Sequence, residues 1–225
     1  MSTSSTRPHD GGVEAAEQSD DGALAGEPAT GTPGLSPRTT GWLLVVLGAV
    51  GFAGSLALVI ERFLKLLDPD HVASCTLNVF IDCGAAMDSW QGSLLGFPNP
   101  VIGVAAFPVV VTTGVVLLAG ARLPRWYWLA LLGATTVATG LVVFLVWTSL
   151  YALGALCPYC MVVWAAMIPL FWYQVVHALQ HGYLPAGEGL RRAAVANRHL
   201  VLALLYVALL VWVVAVMGAD IVSSF

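Results

Sequence analysis

The hydrophobic residues of this chain are grouped into five long segments separated by polar connections. The segments cover about residues 41–61, 98–120, 126–149, 154–176 and 199–219. Each is close to the roughly 20 mainly apolar residues that a helix needs to cross a bilayer. The pattern therefore predicts an all-α integral membrane protein with five transmembrane helices and with its two termini on opposite sides of the membrane.

The first forty residues follow a different pattern. They are rich in Ser, Thr, Gly and Pro, contain six acids and hold no large apolar cluster, which is typical of disorder. They also lack the basic segment, apolar core and cleavage site of a signal peptide, so we expect the first apolar segment to remain as an uncleaved anchor. The prediction is a disordered cytoplasmic tail over 1–40 and a membrane domain over 41–225.

The positions of the basic residues predict the orientation. Seven of the nine Lys and Arg lie in the N-terminal tail and in the second and fourth connections between the apolar segments, and only Arg62 and Lys65 lie in the first. The second connection carries Arg122 and Arg125, and the fourth carries Arg191, Arg192 and Arg198. Basic connections remain on the cytoplasmic side of a membrane. We therefore expect a cytoplasmic N-terminus, and an outer loop over residues 62–97 between the first two spans.

Composition excludes several classes of protein. The chain is 58% hydrophobic and 10% charged, with a mean hydropathy of +0.83, which is too apolar for a soluble domain. Its net charge of -4 comes from the tail, because seven acids and seven bases follow residue 40. No basic patch indicates nucleic acid binding, and the expected surrounding is the lipid bilayer.

All four cysteines fall on the expected outer face. Cys75 and Cys83 lie in the outer loop, and Cys157 and Cys160 lie at the start of the fourth span. Thiols outside the cytoplasm can persist as disulfides. A helix N-terminus also lowers the pKa of a thiol and so favours the reactive thiolate. The sequence Cys157-Pro158-Tyr159-Cys160 therefore predicts a redox-active pair.

The loop pair needs a bend in the chain. On one continuous helix Cys75 and Cys83 would be about 12 Å apart, whereas a disulfide needs Cα atoms within about 7 Å. A bent, mobile loop disulfide is the prediction. Two alternatives are a scaffold with two structural disulfides and a zinc site made of four thiolates. The first is weakened because a bridge across one helical turn stabilises little, and the second because the spacing of the loop pair is wide.

Three motifs together carry a family resemblance. They are Cys75 and Cys83 with Ser89 six residues further on, the run Gly-Phe-Pro-Asn-Pro-Val-Ile-Gly over 96–103, and Cys157-Pro158-Tyr159-Cys160. In this order and on one membrane face they resemble the vitamin K epoxide reductase family. The resemblance implies a four-helix bundle around a quinone site, a loop and half-helix cap between spans one and two, and a fifth transmembrane helix outside the bundle.

The resemblance also implies a function. In bacterial relatives such a protein reoxidises a DsbA-like thioredoxin-fold partner and reduces a quinone, either menaquinone or ubiquinone, at the cytoplasmic (inner) membrane. The partner's thiolate would attack Cys75, the freed Cys83 would attack Cys157, and Cys160 would face the quinone. We expect a separate partner protein here. A DsbB-type enzyme has the same chemistry, but there the CxxC pair comes first in the chain.

By the same resemblance, Asn99, Trp164 and Ser89 are expected at the quinone. Each has a structural alternative. Asn99 followed by Pro100 suits a helix N-cap, Trp164 suits helix packing, and Ser89 suits the cap of a short half-helix. Asp82, beside Cys83, is interpreted either as an inert loop acid or as a group that raises the pKa of the neighbouring thiol.

Overall fold

The structure, a computed structural model, describes residues 34–76 and 80–223, with side chains up to residue 218, and these are helical along most of their length. The helices are α1 Pro37–Leu67, α2 Cys83–Asp88, α3 Pro100–Leu118, α4 Arg125–Thr148, α5 Pro158–Gln180, α6 Glu188–Ala196 and α7 Arg198–Ser223. Two further helical turns cover Trp90–Ser93 (3-10) and Ser149–Leu153 (π).

Within that part of the chain, five helices are long and apolar enough to cross a membrane: α1, α3, α4, α5 and α7. The prediction of an all-α, multi-pass membrane protein is confirmed. Most of the predicted tail, residues 1–33, lies outside the described residues. Helix α6 lies in the polar connection between the fourth and fifth spans, where the pattern of apolar residues predicts no helix. Its Glu188 pairs with Arg191 and Arg192.

Helix α1 is longer at both ends than its apolar pattern. Ser36 begins it as the N-cap, accepting a hydrogen bond from the Thr39 N–H at 3.1 Å, and Pro37 occupies the first helical position. At the other end the helix continues to Leu67. The added residues include charged ones, so the pattern of apolar residues does not predict this part of the helix. This extension carries Glu61 and Arg62 to the level of the outer loop.

Helix α1 packs on its neighbours through glycines. A Cβ atom at Gly51 would overlap the ring of Phe107 on α3, and one at Gly54 would lie 3.3 Å from the Tyr159 carbonyl oxygen of α5. Small residues let helices approach closely inside a bilayer, where burial of apolar surface supplies no driving force. A continuous buried cluster from α1, α3, α4 and α5 results.

Helix α7 lies outside this four-helix core. It packs against α5 and the π turn, where Met217 and Trp212 contact the cluster of Leu150 and Trp164. Only 6% of its apolar window is buried inside the protein, against 22–44% for the other four spans. The expected arrangement of four core helices plus one peripheral helix is confirmed.

A backbone bridge joins the outer loop to the segment before α5. Ile81 and Leu156 form an isolated parallel bridge. The Leu156 N–H donates to the Phe80 carbonyl at 2.8 Å, and the Asp82 N–H donates to the Leu156 carbonyl at 3.1 Å. Immediately afterwards α2 begins, and it is tied to α1 by the ion pairs of Asp88 with Arg62, at 3.2 Å, and with Lys65.

Candidate active site

Three of the four cysteine sulfurs form a compact group, which we call the thiol-exchange centre. Cys75 and Cys83 are joined in a disulfide with Cα atoms 5.8 Å apart, so the chain does bend back between them. Cys157 and Cys160 are free thiols. The Cys157 Sγ lies 2.9 Å from the Cys83 Sγ, and the three Sγ atoms are within 4.8 Å of one another. A thiol therefore faces a disulfide at its Cys83 end.

The backbone bridge explains this proximity. Leu156 is bonded to Phe80 and Asp82, and Cys157 and Cys83 are the next residues along the two paired segments. Both segments then turn into helices, since Cys83 begins α2 and Cys157 is the N-cap of α5. Cys83 and Cys157 are each fully buried. Their sulfurs meet away from solvent.

The position of Cys157 at the start of α5 lowers the pKa of its thiol. Its sulfur accepts the Cys160 N–H at 3.4 Å at the N-terminus of α5, and Pro158 occupies the first position of that helix. A hydrogen bond from the Cys160 thiol lowers the pKa of Cys157 below its ordinary 9.0, and the backbone N–H groups of Cys160 and Tyr159 lower it further against the opposing effects of burial and of Asp82. The helix start therefore favours the nucleophilic form.

Asp82 has a structural role that neither sequence interpretation gave it. Its carboxylate caps α2 by accepting the Gly84 and Ala85 N–H groups at 2.8 and 3.2 Å, and it accepts the Thr76 hydroxyl at 2.7 Å. Burial raises the pKa of Asp82, but these hydrogen bonds and Lys65 outweigh it and lower the pKa below 3.8. Asp82 thus holds two segments in place: helix α2, which begins at Cys83, and the loop at Thr76, the residue after Cys75.

Glu61 is a further residue at this site, and the sequence analysis missed it. The residue is 7% exposed, and its carboxylate accepts three hydrogen bonds: from the Ser74 N–H at 3.2 Å, from the Ser74 hydroxyl, and from His71 Nε2 at 3.0 Å. The Ser74 hydroxyl is also 3.2 Å from the Tyr159 hydroxyl. An acid at the end of an apolar span is the signal that could have identified it.

Cys160 differs from the other cysteines because it lines a cavity. The cavity has a volume of about 310 Å³ and lies among α1, α3, α4 and α5 beneath α2 and the 3-10 turn, with mostly apolar walls. Cys75, Cys83 and Cys157 are not among its lining residues, and no described residue of α7 is. One thiol of the CxxC pair therefore faces the cavity and the other faces the thiol-exchange centre.

The structure places all three predicted quinone residues on the wall of this cavity. Trp164 is 4% exposed and packs in the same cluster as Cys160, one helical turn away. Ser89 caps the 3-10 turn by accepting the Gly92 N–H at 3.1 Å, and it donates its hydroxyl to the Ala86 carbonyl at 2.8 Å. The capping alternative for Ser89 is thus realised, and its one proton is already used.

Asn99 does not cap α3 with its side chain within the described structure. Its Oδ1 accepts the Leu94 N–H at 3.1 Å, and its Nδ2 donates to the Gln91 carbonyl at 2.6 Å. Both bonds fasten the 3-10 turn over the cavity. Asn99 thus occupies the predicted N-cap position of α3, followed by Pro100, but its side chain bonds to the 3-10 turn instead of to the helix. Because an amide nitrogen carries two hydrogens, one donor remains for a group in the cavity.

Metal binding does not fit the sulfur group as it stands. Among the described residues, Cys75, Cys83 and Cys157 are close enough to share an ion. Thiolates are the form that binds a metal, and two of these three sulfurs are committed to a disulfide. The arrangement suits thiol-disulfide exchange instead.

Comparison with known proteins adds one finding. Residues 42–175 match the model of the vitamin K epoxide reductase family. This range begins in α1, ends in α5 and includes all four cysteines and the cavity. No curated protein matches the chain.

Proposed function

The chain belongs to the vitamin K epoxide reductase family of membrane disulfide oxidoreductases, and we propose that it passes electrons from a protein dithiol to a quinone. The observation that carries the proposal is the position of the CxxC pair between two sites. Cys157 is 2.9 Å from the loop disulfide, and Cys160 lines the cavity. Electrons can thus enter at one thiol and leave at the other.

The steps in the outer loop are thiol-disulfide exchanges. A thiolate of the partner bonds to the Cys75 sulfur, the Cys75 to Cys83 bond breaks, and Cys83 leaves as a thiolate. With Cys157 and Cys160 oxidised, Cys83 then bonds to Cys157, and Cys160 is released as a thiolate. Attack at Cys157 is supported by the short distance between the Cys83 and Cys157 sulfurs.

The remaining exchanges restore the loop. The partner's second thiolate attacks the partner sulfur that is bonded to Cys75, so the partner's own disulfide forms and Cys75 leaves as a thiolate. Cys75 then bonds to Cys83, the Cys83 to Cys157 bond breaks, and Cys157 leaves as a thiolate. The state in the structure, with Cys75 and Cys83 joined and with Cys157 and Cys160 reduced, then precedes transfer of one electron pair and two protons to the acceptor. Free thiols at the CxxC pair also favour this function over a scaffold with two structural disulfides.

The cavity fits a quinone as that acceptor. A quinone supplies an apolar ring and two carbonyl oxygens, and it is reduced to the quinol by the CxxC dithiol. The apolar walls suit the ring, Trp164 lies beside Cys160, and Asn99 retains a donor. The volume of about 310 Å³ is in the range of small-molecule sites. The proposed acceptor is menaquinone or ubiquinone.

We further propose a separate DsbA-like thioredoxin-fold protein as the electron donor, outside the inner membrane of a bacterium. Supporting features are the cysteines near the outer ends of the spans and the basic connections at the opposite ends. Cys75 is only 6% exposed, so the loop around it must move when a protein thiol attacks.

The test uses the purified full-length protein in detergent, with menadione as the acceptor. Reduced dithiothreitol serves as a small donor in one arm, and a reduced thioredoxin-fold protein serves as a protein donor in the other. Cys160→Ser should abolish the quinone reduction that exceeds the uncatalysed rate in both arms. Cys75→Ser should abolish it only with the protein donor, because a small thiol can reduce the CxxC pair directly.

Each arm has a clear opposing result. If Cys160→Ser reduces menadione at the wild-type rate, the enzyme function is wrong, and the alternative of a membrane scaffold with two structural disulfides is favoured. To locate partner entry, the thioredoxin-fold protein is used without its second cysteine. A trapped mixed disulfide at Cys75 supports the proposed order, and one at Cys157 or Cys160 contradicts it.

A further inference from the structure

Thr148 lines the cavity, and its hydroxyl is a buried polar group with no hydrogen-bond partner among the described residues. Thr148 ends α4 and is 2% exposed. Its Oγ1 makes no hydrogen bond within the described part of the chain, and its side chain lines the same cavity as Cys160 and Asn99. Buried polar groups nearly always have partners, and each exception needs an explanation.

Other threonines of the spans show what Thr148 lacks. Thr113, Thr135 and Thr139 each donate their hydroxyl to the backbone carbonyl four residues earlier, at 2.7 to 3.0 Å. That bond is the usual arrangement for threonine in an apolar helix. Thr148 stands where α4 passes into the π turn Ser149–Leu153, and its hydroxyl is not used in this way.

The location points to the head of the ligand rather than to its tail. The end of α4, the start of α3 with Asn99 and the start of α5 with Cys160 belong to the same end of the bundle. A group that reacts with Cys160 must lie at this end. The ring of a quinone carries oxygen atoms that accept hydrogen bonds, whereas its tail carries none.

We propose that the Thr148 hydroxyl donates a hydrogen bond to a ring oxygen of the bound quinone, as a contact separate from Asn99. This inference rests on the proposed function. It assigns α4 a polar contact with the ligand in addition to its apolar wall, and it explains why a hydroxyl is kept unpaired in an apolar interior.

The test is direct binding of menadione to the purified full-length protein, read from quenching of tryptophan fluorescence, since Trp164 lines the cavity. Thr148→Val keeps the shape and removes the hydroxyl, and it should raise the Kd about fivefold to tenfold, as expected for one lost hydrogen bond. Thr148→Ser keeps the hydroxyl and should stay within about twofold of the wild type.

The matched control is Thr139→Val on the same helix, because the Thr139 hydroxyl is bonded to the Thr135 carbonyl and the residue does not line the cavity. Its Kd should not change. Thermal unfolding without ligand shows whether each variant folds: Thr148→Val should be as stable as the wild type or more stable, since it loses an unpaired buried hydroxyl.

Two results overturn the inference, and they are distinguishable. If the wild type binds menadione and Thr148→Val binds it equally well, the Thr148 contact is wrong and the proposed function stands. If the wild type binds no menadione, both are wrong. If Thr148→Val does not fold, Thr148→Ala and Thr148→Ser are compared instead. Only Thr148→Ala should then bind menadione less tightly than the wild type.

Discussion

The sulfur atoms of Cys83 and Cys157 lie 2.9 Å apart although 74 residues separate them in the sequence. Neither side chain reaches solvent. The backbone bonds of Leu156 with Phe80 and Asp82 hold the two segments in register, so the contact is part of the fold and does not depend on a chance encounter of two mobile thiols.

This contact predicts a disulfide that can be trapped. In the double variant Cys75→Ser with Cys160→Ser, mild oxidation should join Cys83 to Cys157, because each has lost its alternative partner. Peptide mapping by mass spectrometry without reduction measures it. The control Cys75→Ser with Cys157→Ser leaves Cys83 and Cys160, which should remain mostly unjoined. Equal yields in the two double variants would refute a direct exchange between Cys83 and Cys157.

The environment of Cys157 predicts the pH at which its thiolate forms. Because its pKa is lowered below 9.0, chiefly by the Cys160 thiol, the thiolate should form below pH 9.0 and be lost as the pH falls through the lowered pKa. Cys157 is fully buried, so the midpoint is read from the thiolate absorbance at about 240 nm as the pH is raised, with Cys157→Ser as the reference. Cys160→Ala should move the midpoint upwards. A midpoint that does not move would mean that Cys160 does not stabilise the thiolate.

The role of Asp82 as a helix cap predicts that the protein loses stability as the pH is lowered. Asp82→Ala removes the cap of α2 and should lower the free energy of unfolding by about 1 kcal/mol, while Asp82→Asn, also a good cap, should lose less. In the folded protein the pKa of Asp82 lies below 3.8. The charged cap therefore contributes its full stabilisation above the pKa that Asp82 has in the unfolded state, and this contribution is lost as the pH falls through the pKa of the folded state. Thermal unfolding from pH 7 to 3 compares the wild type with Asp82→Asn, and parallel curves would contradict the assignment.

Glu61 predicts the mobility of the loop that carries Cys75. Glu61→Ala leaves the Ser74 N–H and His71 without their acceptor, so amide hydrogen exchange over residues 71–76 should speed up markedly, and a protein donor should reach Cys75 more readily. Glu61→Gln retains one acceptor oxygen and should show an intermediate effect. The exposed Asp70 provides the control Asp70→Asn. Unchanged exchange in Glu61→Ala would show that the loop is held elsewhere.

Gly51 predicts how tightly α1 and α3 are packed. The new Cβ of Gly51→Ala would overlap the buried ring of Phe107, which should lower the free energy of unfolding by about 1–3 kcal/mol. On α4, a Cβ at Gly133 meets no described atom within 4 Å, so Gly133→Ala should be neutral or stabilising by up to about 1 kcal/mol. Thermal unfolding in detergent compares the two, and similar effects would argue against the close approach.

Much of this protein is determined by local sequence. The five spans follow from runs of apolar residues, and the helix start at Cys157 follows from a proline at the first position and a CxxC spacing. The bend between Cys75 and Cys83 follows from the length of chain that a disulfide must close. These properties depend on composition and spacing over one or a few helical turns, which the sequence displays directly.

The tertiary structure decided which groups meet. Nothing near Leu156 in the sequence indicates that its backbone pairs with Phe80 and Asp82, because that pairing depends on the path of a loop and on the packing of α1 against α5. The same holds for Glu61, whose burial depends on a loop that folds back over it, and for Asn99, whose side chain bonds to the 3-10 turn instead of to α3. The sequence alone thus determines the four cysteines and their order. That Cys157 contacts the loop disulfide while Cys160 lines the cavity is determined only by the packing of the helices.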